Sequence, residues 1–432
     1  MKGHLLMKER IDSEINNKSG DRFKRFFQEL KNWLIVIGPG LIVMLADTDA
    51  GCLITAAQSG ASYGYSMILP QLLLIPILFM VQEMTVRLGI VTKKGHGELI
   101  REYFGKFWAY VSAITLMIST IGALLTEFIG IAGVGELFGI SKWITVPLST
   151  MVLILIAFLG SYRRVEKIGI IFGLFELTFI IGIFMVHPSM NSIIDGIQSI
   201  PLNDSSYVYL VAANVGAVIM PWMIFYQQSA VVDKGLEPKM IKKEQTDTMV
   251  GTFITQGIMI GFIVLFAATV FSSHLHANEE TVGDLVTSIG QYIGMTPEKE
   301  FMGSSFLGGA LVAAIVVVLA GTWGMTEVLD WKHSLNERLN RSNLGFYSMY
   351  SLVLIVSAAL VLWNEDLVSI AITVEVINAL MVPIVLGFLL MLEHKALPKS
   401  YRMHGMYKKI VIFLSFIVMA FGIYMIFPVL NL

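Results

Sequence analysis

The sequence predicts an all-helical integral membrane protein that crosses the bilayer eleven times. Of its 432 residues, 55% are hydrophobic and 14% are charged, and the mean hydropathy is +0.72. Soluble globular domains carry roughly a quarter charged residues, and apolar runs of about 18 residues or more are typical of transmembrane helices. The composition therefore argues against a soluble enzyme. The net charge of −2 argues against a globally basic nucleic-acid-binding protein.

Apolar runs bounded by charged residues define the predicted spans. They cover residues 33–66, 67–86, 108–135, 144–161, 168–187, 207–231, 248–272, 304–329, 346–362, 367–392 and 410–430. The preceding residues 1–32 hold eight Lys or Arg and lack the apolar core of a signal peptide. We therefore expect a basic cytoplasmic tail there, followed by one transporter domain over residues 33–432.

The distribution of basic residues predicts the orientation. If the N-terminus is cytoplasmic, 28 of the 30 Lys and Arg residues lie inside, and only Lys142 and Lys299 lie outside. Basic residues concentrate in cytoplasmic loops of membrane proteins, and a missed or extra span would scramble this bias. We expect an inside N-terminus, an outside C-terminus and a location in the inner, plasma membrane of the cell.

Two interrupted helices suggest an internal repeat. The first predicted span contains Gly51 next to polar residues, and the sixth contains Gly216 and Pro221. In transporters, interrupted helices at matching positions of two halves indicate the binding site. We expect a first repeat over residues 33–187, a second over 207–392 and one additional span over 410–430.

Asp47 and Asp49 lie in the middle of the first apolar run, with no basic residue nearby. An ionised side chain at that depth costs about 2.5–3.5 kcal/mol on insertion scales. A divalent cation would neutralise both groups, and an unwound backbone would add carbonyl ligands. The alternative is that both carboxylates cap the second half of a broken helix, and the two roles are compatible.

Met220 precedes a proline that removes a backbone donor and predicts a break in span 6. A thioether at this break is a soft ligand that favours transition metals over Mg²⁺ or Ca²⁺. The alternative is that Met220 is a packing residue, as most methionines are.

Several motifs now resemble one family in order and spacing. The chain is similar to the Nramp divalent-metal transporters over most of its length. The similar segments are Gly38-Pro39-Gly40, Asp49-Ala50-Gly51-Cys52, residues 87–105, the Glu127–Gly130 segment and the Ala217–Pro221 segment. The resemblance implies a LeuT-like fold with a 5+5 inverted repeat plus one helix, with spans 1 and 6 broken around a metal site. It implies a divalent cation as substrate, with no permanently bound cofactor.

Together, the residues and the resemblance give a predicted site. The expected metal ligands are Asp49, Asp47, Cys52, Met220, Ala217 and Glu375. The last of these falls on the family's span 10 glutamine when Pro383 anchors the alignment. The expected pathway residues are Glu127, Trp222, Gln227 and Glu176. For Glu176, a hydrogen bond between helices is an equal alternative, and Trp222 has a packing role as its alternative.

The sequence also departs from the family pattern. The metal-binding asparagine of span 1 is Cys52, and the two histidines of span 6 are Trp222 and Gln227. In span 3 the family's aspartate is Leu124, although Glu127 is kept. The arginines of span 9 are absent from residues 346–362, and all eight histidines fall in loops, tails or span ends. The proton pathway of the coupled relatives is therefore expected to be missing.

These departures predict transport of Mg²⁺ and/or Mn²⁺ without strict proton coupling, as in the Nramp-related magnesium transporters. Carboxylates suit Mg²⁺, which keeps several waters, whereas sulfur from Cys52 and Met220 suits Mn²⁺ or Fe²⁺. The main alternative is a proton-coupled Mn²⁺/Fe²⁺ importer. A Na⁺-coupled carrier of an organic substrate and a non-transporting metal receptor are less favoured. The expected protein is monomeric, is not an enzyme and has the metal ion and the lipid bilayer as its partners.

Other charged residues have local interpretations. Glu83 and Arg87 are spaced i,i+4 and are expected to form an ion pair at the end of span 2. Glu327 and Asp330, beside Lys332 and His333, are expected to form a solvated cytoplasmic cluster.

Overall fold

The computed structural model describes residues 38–158, 162–273, 282–332 and 339–427, so the predicted basic tail and His333 lie outside the described residues. The described residues form helices that are joined by turns and short irregular segments. The α-helices are α1 Pro39–Asp47, α2 Ala50–Tyr63, α3 Ile68–Thr92, α4 His96–Phe104, α5 Lys106–Leu137, α6 Lys142–Ala157, α7 Tyr162–Glu176, α8 Ile180–Val186, α9 Met190–Gln198, α10 Ser205–Val218, α11 Pro221–Asp233, α12 Ile241–Thr269, α13 Val282–Ile293, α14 Met295–Leu329, α15 Leu344–Trp363, α16 Leu367–Ala396 and α17 Gly405–Tyr424.

Within the described ranges, nine helical segments are long and apolar enough to cross a membrane. The eleven-span prediction differs from this number at two places. The first predicted span consists of the nine-residue α1 and of α2, and α2 continues into α3 as one helical stretch, Ala50–Thr92. The fourth predicted span is the 16-residue α6, which is shorter than the other crossing helices. The two numbers therefore differ because α2 and α3 are counted as one continuous stretch and because α6 is too short to be counted.

The turn between α2 and α3 requires a glycine. Gly64 has a φ of 60°, and the chain turns there through the short 3₁₀-helix Gly64–Met67. A Cβ at this position would lie 2.7 Å from the Phe271 ring at the end of α12. Both the left-handed backbone and the close contact exclude a side chain. The turn directs the chain from α2 into α3.

The core is organised around α14. This helix packs against α5, α7, α11 and α1, while α10 packs on α16, and α12 packs on α1, α2 and α3. Glycines permit the close approaches: a Cβ at Gly321 would lie 2.5 Å from Thr120, and one at Gly308 would lie 2.6 Å from the Phe172 carbonyl. Small residues allow membrane helices to approach closely. The junction of α1 and α2 is thereby enclosed by helices from both predicted repeats.

The predicted Glu83–Arg87 ion pair is confirmed near the end of α3, with Arg87 Nε 2.5 Å from Glu83 Oε1. Arg87 also lies 3.1 Å from Glu393 of α16 and donates to the Tyr401 carbonyl at 2.7 Å. Gln245 of α12 and Tyr407 of α17 donate to the two Glu83 oxygens. The buried Glu83–Arg87 pair thus joins α3 to α12, α16 and α17, and only the contact within the pair is local in sequence.

The predicted solvated cluster is wrong for Glu327. This side chain is buried at the end of α14, where it accepts hydrogen bonds from Gly97 N at 3.0 Å and Ser229 Oγ at 2.5 Å. The docking of α4 and α11 against α14 excludes water from it. Asp330 is exposed, as predicted, and pairs with Arg101.

His96 begins α4, outside the long helices, yet it is fully buried. Its Nδ1 lies 2.9 Å from Gln228 Oε1, and its ring packs edge-on against Phe225. Burial lowers the pKa of His96 to about 4, so the imidazole stays neutral at physiological pH. His96 is therefore buried even though it lies outside the predicted membrane spans.

Candidate metal site

The site is built around the junction of α1 and α2. Helix α1 ends at Asp47 and α2 begins at Ala50, with Thr48 and Asp49 between them. Asp49 has an extended backbone and is the N-cap of α2: its Oδ1 accepts a hydrogen bond from Cys52 N at 2.7 Å. This is the capping geometry that satisfies one unpaired donor at a helix start.

A second carboxylate completes the start of α2. Glu127 of α5 accepts a hydrogen bond from Ala50 N through Oε2, at 3.1 Å. Carboxylates at a helix N-terminus also interact favourably with the helix dipole. The predicted capping role therefore applies to Asp49 together with Glu127, whereas Asp47 caps nothing. Glu127, which was predicted as a pathway residue, thus contacts the backbone at the start of α2.

A matching interruption separates α10 from α11. Helix α10 ends at Val218 and α11 begins at Pro221, which needs no amide donor at the first helical position. The Ala217 carbonyl lies in the last turn of α10, where carbonyls lack a helical partner. It accepts a hydrogen bond from the Cys52 thiol at 3.2 Å. The two junctions are thus in direct contact.

Three side chains converge at this contact. Ligand atoms of Asp49, Cys52 and Glu375 all lie within 4.8 Å of one another, and all three residues are buried. Gly51 makes room for Glu375, because a Cβ there would lie 2.5 Å from Glu375 Oε1. Oxygen and sulfur atoms gathered in this way are a donor set for a divalent cation.

Two residues that the sequence reasoning missed orient Glu375. Asn378 donates to Glu375 Oε2 at 3.1 Å, and Ser119 of α5 donates to the Asn378 oxygen at 2.8 Å. The bond from Asn378 occupies Oε2, while Oε1 lies against Gly51 and has no hydrogen-bond partner among the described residues. The i,i+3 spacing of Glu375 and Asn378 on one helix was a readable signal, because such residues share a face.

Several oxygens at the junction have no hydrogen-bond partner among the described residues. They are Asp47 Oδ1, Asp47 Oδ2, Asp49 Oδ2, Glu176 Oε1 and Glu375 Oε1. Their residues are at most 1% exposed. Asp47 lies outside the three-residue cluster but interacts electrostatically with Asp49, Glu375 and Glu176. Unpaired carboxylates are costly in a dry interior, so this arrangement favours a bound cation.

The remaining predicted residues have partners of their own. The Met220 sulfur accepts a hydrogen bond from Trp222 Nε1 at 3.0 Å, and both side chains are fully buried. Gln227 donates to Thr248 Oγ1 at 3.0 Å, and its own oxygen has no partner among the described residues. Glu176 of α7 accepts a hydrogen bond from the Thr48 hydroxyl, in the segment between α1 and α2.

A family comparison identifies the chain. The family model described as Nramp, natural resistance-associated macrophage protein-like, matches residues 40–428. The chain belongs to the Nramp family.

Two curated relatives are divalent metal cation transporters named MntH. The one from Staphylococcus saprophyticus is 28% identical over 251 residues, and the one from Staphylococcus aureus strain bovine RF122 is 27% identical over 273 residues. The matches cover 56% and 61% of this chain and 56% and 60% of those proteins. They thus span little more than half the length of these Nramp relatives.

Solved structures show the fold of this Nramp protein. The Eremococcus coleocola manganese transporter has a TM-score of 0.75 at 16% identity, covering 91% of this chain and 86% of that one. A Na⁺-coupled sialic acid symporter has a TM-score of 0.61 at 15% identity, covering 89% and 88%. At these identities the likeness concerns the fold alone. It agrees with the predicted LeuT-like membrane fold.

Proposed function

We propose that this Nramp protein takes up divalent cations, Mg²⁺ and/or Mn²⁺, across the plasma membrane by alternating access. The observation that carries the proposal is the convergence of Asp49, Cys52 and Glu375 at the two helix junctions. Asp49 and Glu375 each keep one carboxylate oxygen without a hydrogen-bond partner among the described residues, and Asp47, which interacts electrostatically with both, keeps two. The MntH relatives, which transport divalent metal cations by name, support the same class of substrate.

In the proposed site, Asp49 Oδ2 and Glu375 Oε1 are the principal ligands of the ion. Asp47 adds negative charge, and the Ala217 carbonyl becomes available when the Cys52 thiol turns away from it. Met220 would join only by giving up its hydrogen bond to Trp222. Oxygen ligands thus dominate the set, and hard cations prefer oxygen.

The rest of the predicted organisation completes the proposal. We take the protein as a monomer with a cytoplasmic N-terminus, two repeats over 33–187 and 207–392 and an added span over 410–430. Spans 1 and 6 are the broken helices that move around the ion. Glu127, Trp222, Gln227 and Glu176 line the route to the ion.

Uptake would be driven by the ion gradient and the membrane potential. An inside-negative potential of about 100 mV contributes about 4.6 kcal/mol for a double charge. None of the described histidines belongs to the cluster of ligand atoms. Trp222 and Gln227 occupy the positions that resemble the family's histidines, which supports transport without a fixed proton stoichiometry.

A second candidate is a proton-coupled Mn²⁺/Fe²⁺ importer. The specific observation in its favour is the Cys52 sulfur inside the cluster, because sulfur suits transition metals better than Mg²⁺. A Na⁺-coupled carrier of an organic acid is disfavoured, because the buried carboxylates would repel its substrate. A metal receptor would bind ions without flux.

Competition in proteoliposomes tests the proposal. We expect saturable Mn²⁺ uptake that excess Mg²⁺ inhibits more strongly than excess Ca²⁺, with protein-free liposomes as the control. A pH dye in the lumen should show no acidification that accompanies uptake. Metal-dependent acidification would favour the proton-coupled importer, and saturable binding without any flux would favour the receptor.

Replacing Cys52 by Asn is expected to shift selectivity from Mg²⁺ towards Mn²⁺ by about tenfold, equivalent to about 1.4 kcal/mol. An amide oxygen at this position would replace a water on the ion, and Mg²⁺ dehydrates reluctantly. The ratio of apparent affinities in the competition assay measures the shift. The matched control is Cys52→Ala, which adds no ligand and should not increase the preference for Mn²⁺. If the ratio of apparent affinities for Mg²⁺ and Mn²⁺ is unchanged in Cys52→Asn, Cys52 does not contact the ion.

A further inference from the structure

A groove separates α6 from α15 at the surface of the helix bundle. Its volume is about 410 Å³, and pockets that hold small ligands have about 300–1,000 Å³. On α15 it is lined by Ile355, Ala358, Ala359 and Leu362, which follow the i, i+3, i+4, i+7 spacing of one helix face. The two alanines leave space that larger side chains at these positions would fill.

The opposite wall of the groove is one face of α6, which includes Pro147, Thr150, Met151 and Leu155. Among the described lining residues, only Thr150 has an oxygen or nitrogen in its side chain. The Thr150 hydroxyl donates to the Val146 carbonyl of its own helix at 2.7 Å. The groove thus offers no unpaired polar side chain, and its surface suits a hydrocarbon rather than a polar ligand.

The groove opens towards the hydrocarbon of the membrane. Helix α15 is long and apolar enough to cross a bilayer, and α6 packs against it. Met151, Leu155 and Ile355, which line the groove, are exposed at the surface of the protein. An empty groove would forfeit dispersion contacts along its walls, so a lipid chain that enters it gains them.

One end of the groove lies at the level of the lipid headgroups. Trp143 at the start of α6 and Trp363 at the end of α15 are both exposed there. Tryptophan is enriched at membrane–water interfaces. The groove therefore extends from this interface into the hydrocarbon.

Lys142 provides a positive charge at the same end. Its Nζ donates to the Asn364 carbonyl at 2.7 Å, which joins the first residue of α6 to the residue after α15. An ammonium group carries three hydrogens, so this bond leaves two for other acceptors. Within the described ranges Lys142 forms no ion pair, although the exposed acids Glu365 and Asp366 follow Asn364.

We propose that the groove between α6 and α15 binds one phospholipid molecule, with an acyl chain in the groove and the phosphate on Lys142. Lys142 precedes Pro147 by five residues, about 7.5 Å along a helix, so the charge lies just beyond the apolar lining. A phospholipid has the same order of groups, a charged phosphate and then a hydrocarbon chain. The bound chain contacts both helices and stabilises their packing.

Native mass spectrometry of the full-length protein tests the phosphate contact. The two probes are dioleoylphosphatidylethanolamine and dioleoylglycerol, which has the same chains without the phosphate. The first has no net charge, which limits repulsion by Glu365 and Asp366. The wild type should retain one molecule of this phospholipid about fivefold better than dioleoylglycerol, as expected for one lysine near a lipid phosphate. Lys142→Met should remove this preference. Lys299→Met, at the other basic residue predicted on that side, should keep it.

Two apolar substitutions on α15 test the groove. Ala359→Phe places a ring in the groove and should lose the bound phospholipid. Val356→Phe adds the same ring at an exposed position outside the lining and should retain the lipid. A ligand that binds only the folded state raises the melting temperature. Added phospholipid should therefore raise the melting temperature of the wild type and of Val356→Phe, but not that of Ala359→Phe.

Several outcomes would overturn the inference. They are equal retention of the two lipids by the wild type, an unchanged preference in Lys142→Met, and equal phospholipid retention by Ala359→Phe and Val356→Phe. A dimer that Ala359→Phe dissociates would also overturn it, because the groove would then be the contact between two copies of the chain. If Ala359→Phe does not fold, the comparison of Lys142→Met with Lys299→Met decides.

Discussion

Asp49→Ala is expected to abolish divalent-cation uptake in proteoliposomes. The substitution removes the carboxylate that belongs to the cluster with Cys52 and Glu375, and the Oδ2 of that carboxylate has no hydrogen-bond partner among the described residues. It also removes the N-cap of α2, which costs only about 1 kcal/mol of stability. The folded protein should therefore survive while uptake falls to the level of protein-free liposomes, measured with Mn²⁺ and with Mg²⁺.

A matched control separates the loss of the ion-binding carboxylate from the loss of the helix cap. Asp204 caps α10 through Ser206 N at 2.9 Å but lies exposed, away from the cluster. Asp204→Ala should therefore lose a helix cap and keep its uptake. Asp49→Asn retains an oxygen that accepts the Cys52 amide and should still lose transport, because the charge is gone. Normal flux in Asp49→Ala would disprove the proposed ion site.

Arg87→Met is expected to cause the largest loss of stability, about 3–5 kcal/mol. Arg87 is buried between Glu83 and Glu393 and donates to the Tyr401 carbonyl. Without the guanidinium, two buried carboxylates lose their counter-charge. The measurement is the thermal melting temperature of the purified protein in detergent.

An exposed ion pair provides the comparison. Arg101 lies 3.2 Å from Asp330, whose side chain is 79% exposed, and such pairs contribute about 0–1 kcal/mol. The melting temperature of Arg101→Met should therefore lie close to that of the wild type. Adding Glu83→Gln and Glu393→Gln to Arg87→Met should recover part of the loss. Equal melting of Arg87→Met and Arg101→Met would show that the buried network does not stabilise the fold.

The sequence predicted those features that depend on neighbours along the chain. Hydropathy runs gave the helices, Pro221 marked the start of α11, and the i,i+4 spacing gave the Glu83–Arg87 pair. The family resemblance pointed to Glu375, which lies against Gly51 in the structure. In each case a local period or a motif carried the information.

Contacts between distant segments were not readable. Glu393 is 306 residues from Arg87, and Glu327 is 98 residues from Ser229, so no spacing rule connects them. The burial of Glu327 and His96 follows from the docking of α4 against α11 and α14. Single-sequence patterns describe which face of a helix is apolar, but they do not describe which helix covers it.

The hydrogen bond from the Cys52 thiol to the Ala217 carbonyl bears on the step in which the empty transporter returns to its starting conformation. In the proposed cycle, the thiol donates its hydrogen to that carbonyl whenever no ion is bound there. This bond keeps α2 and α10 in contact while the transporter is empty. A returning carrier sealed in this way would not expose a polar hole to the lipid or let other ions slip through. The same small side chain would thus serve the loaded and the unloaded halves of the cycle.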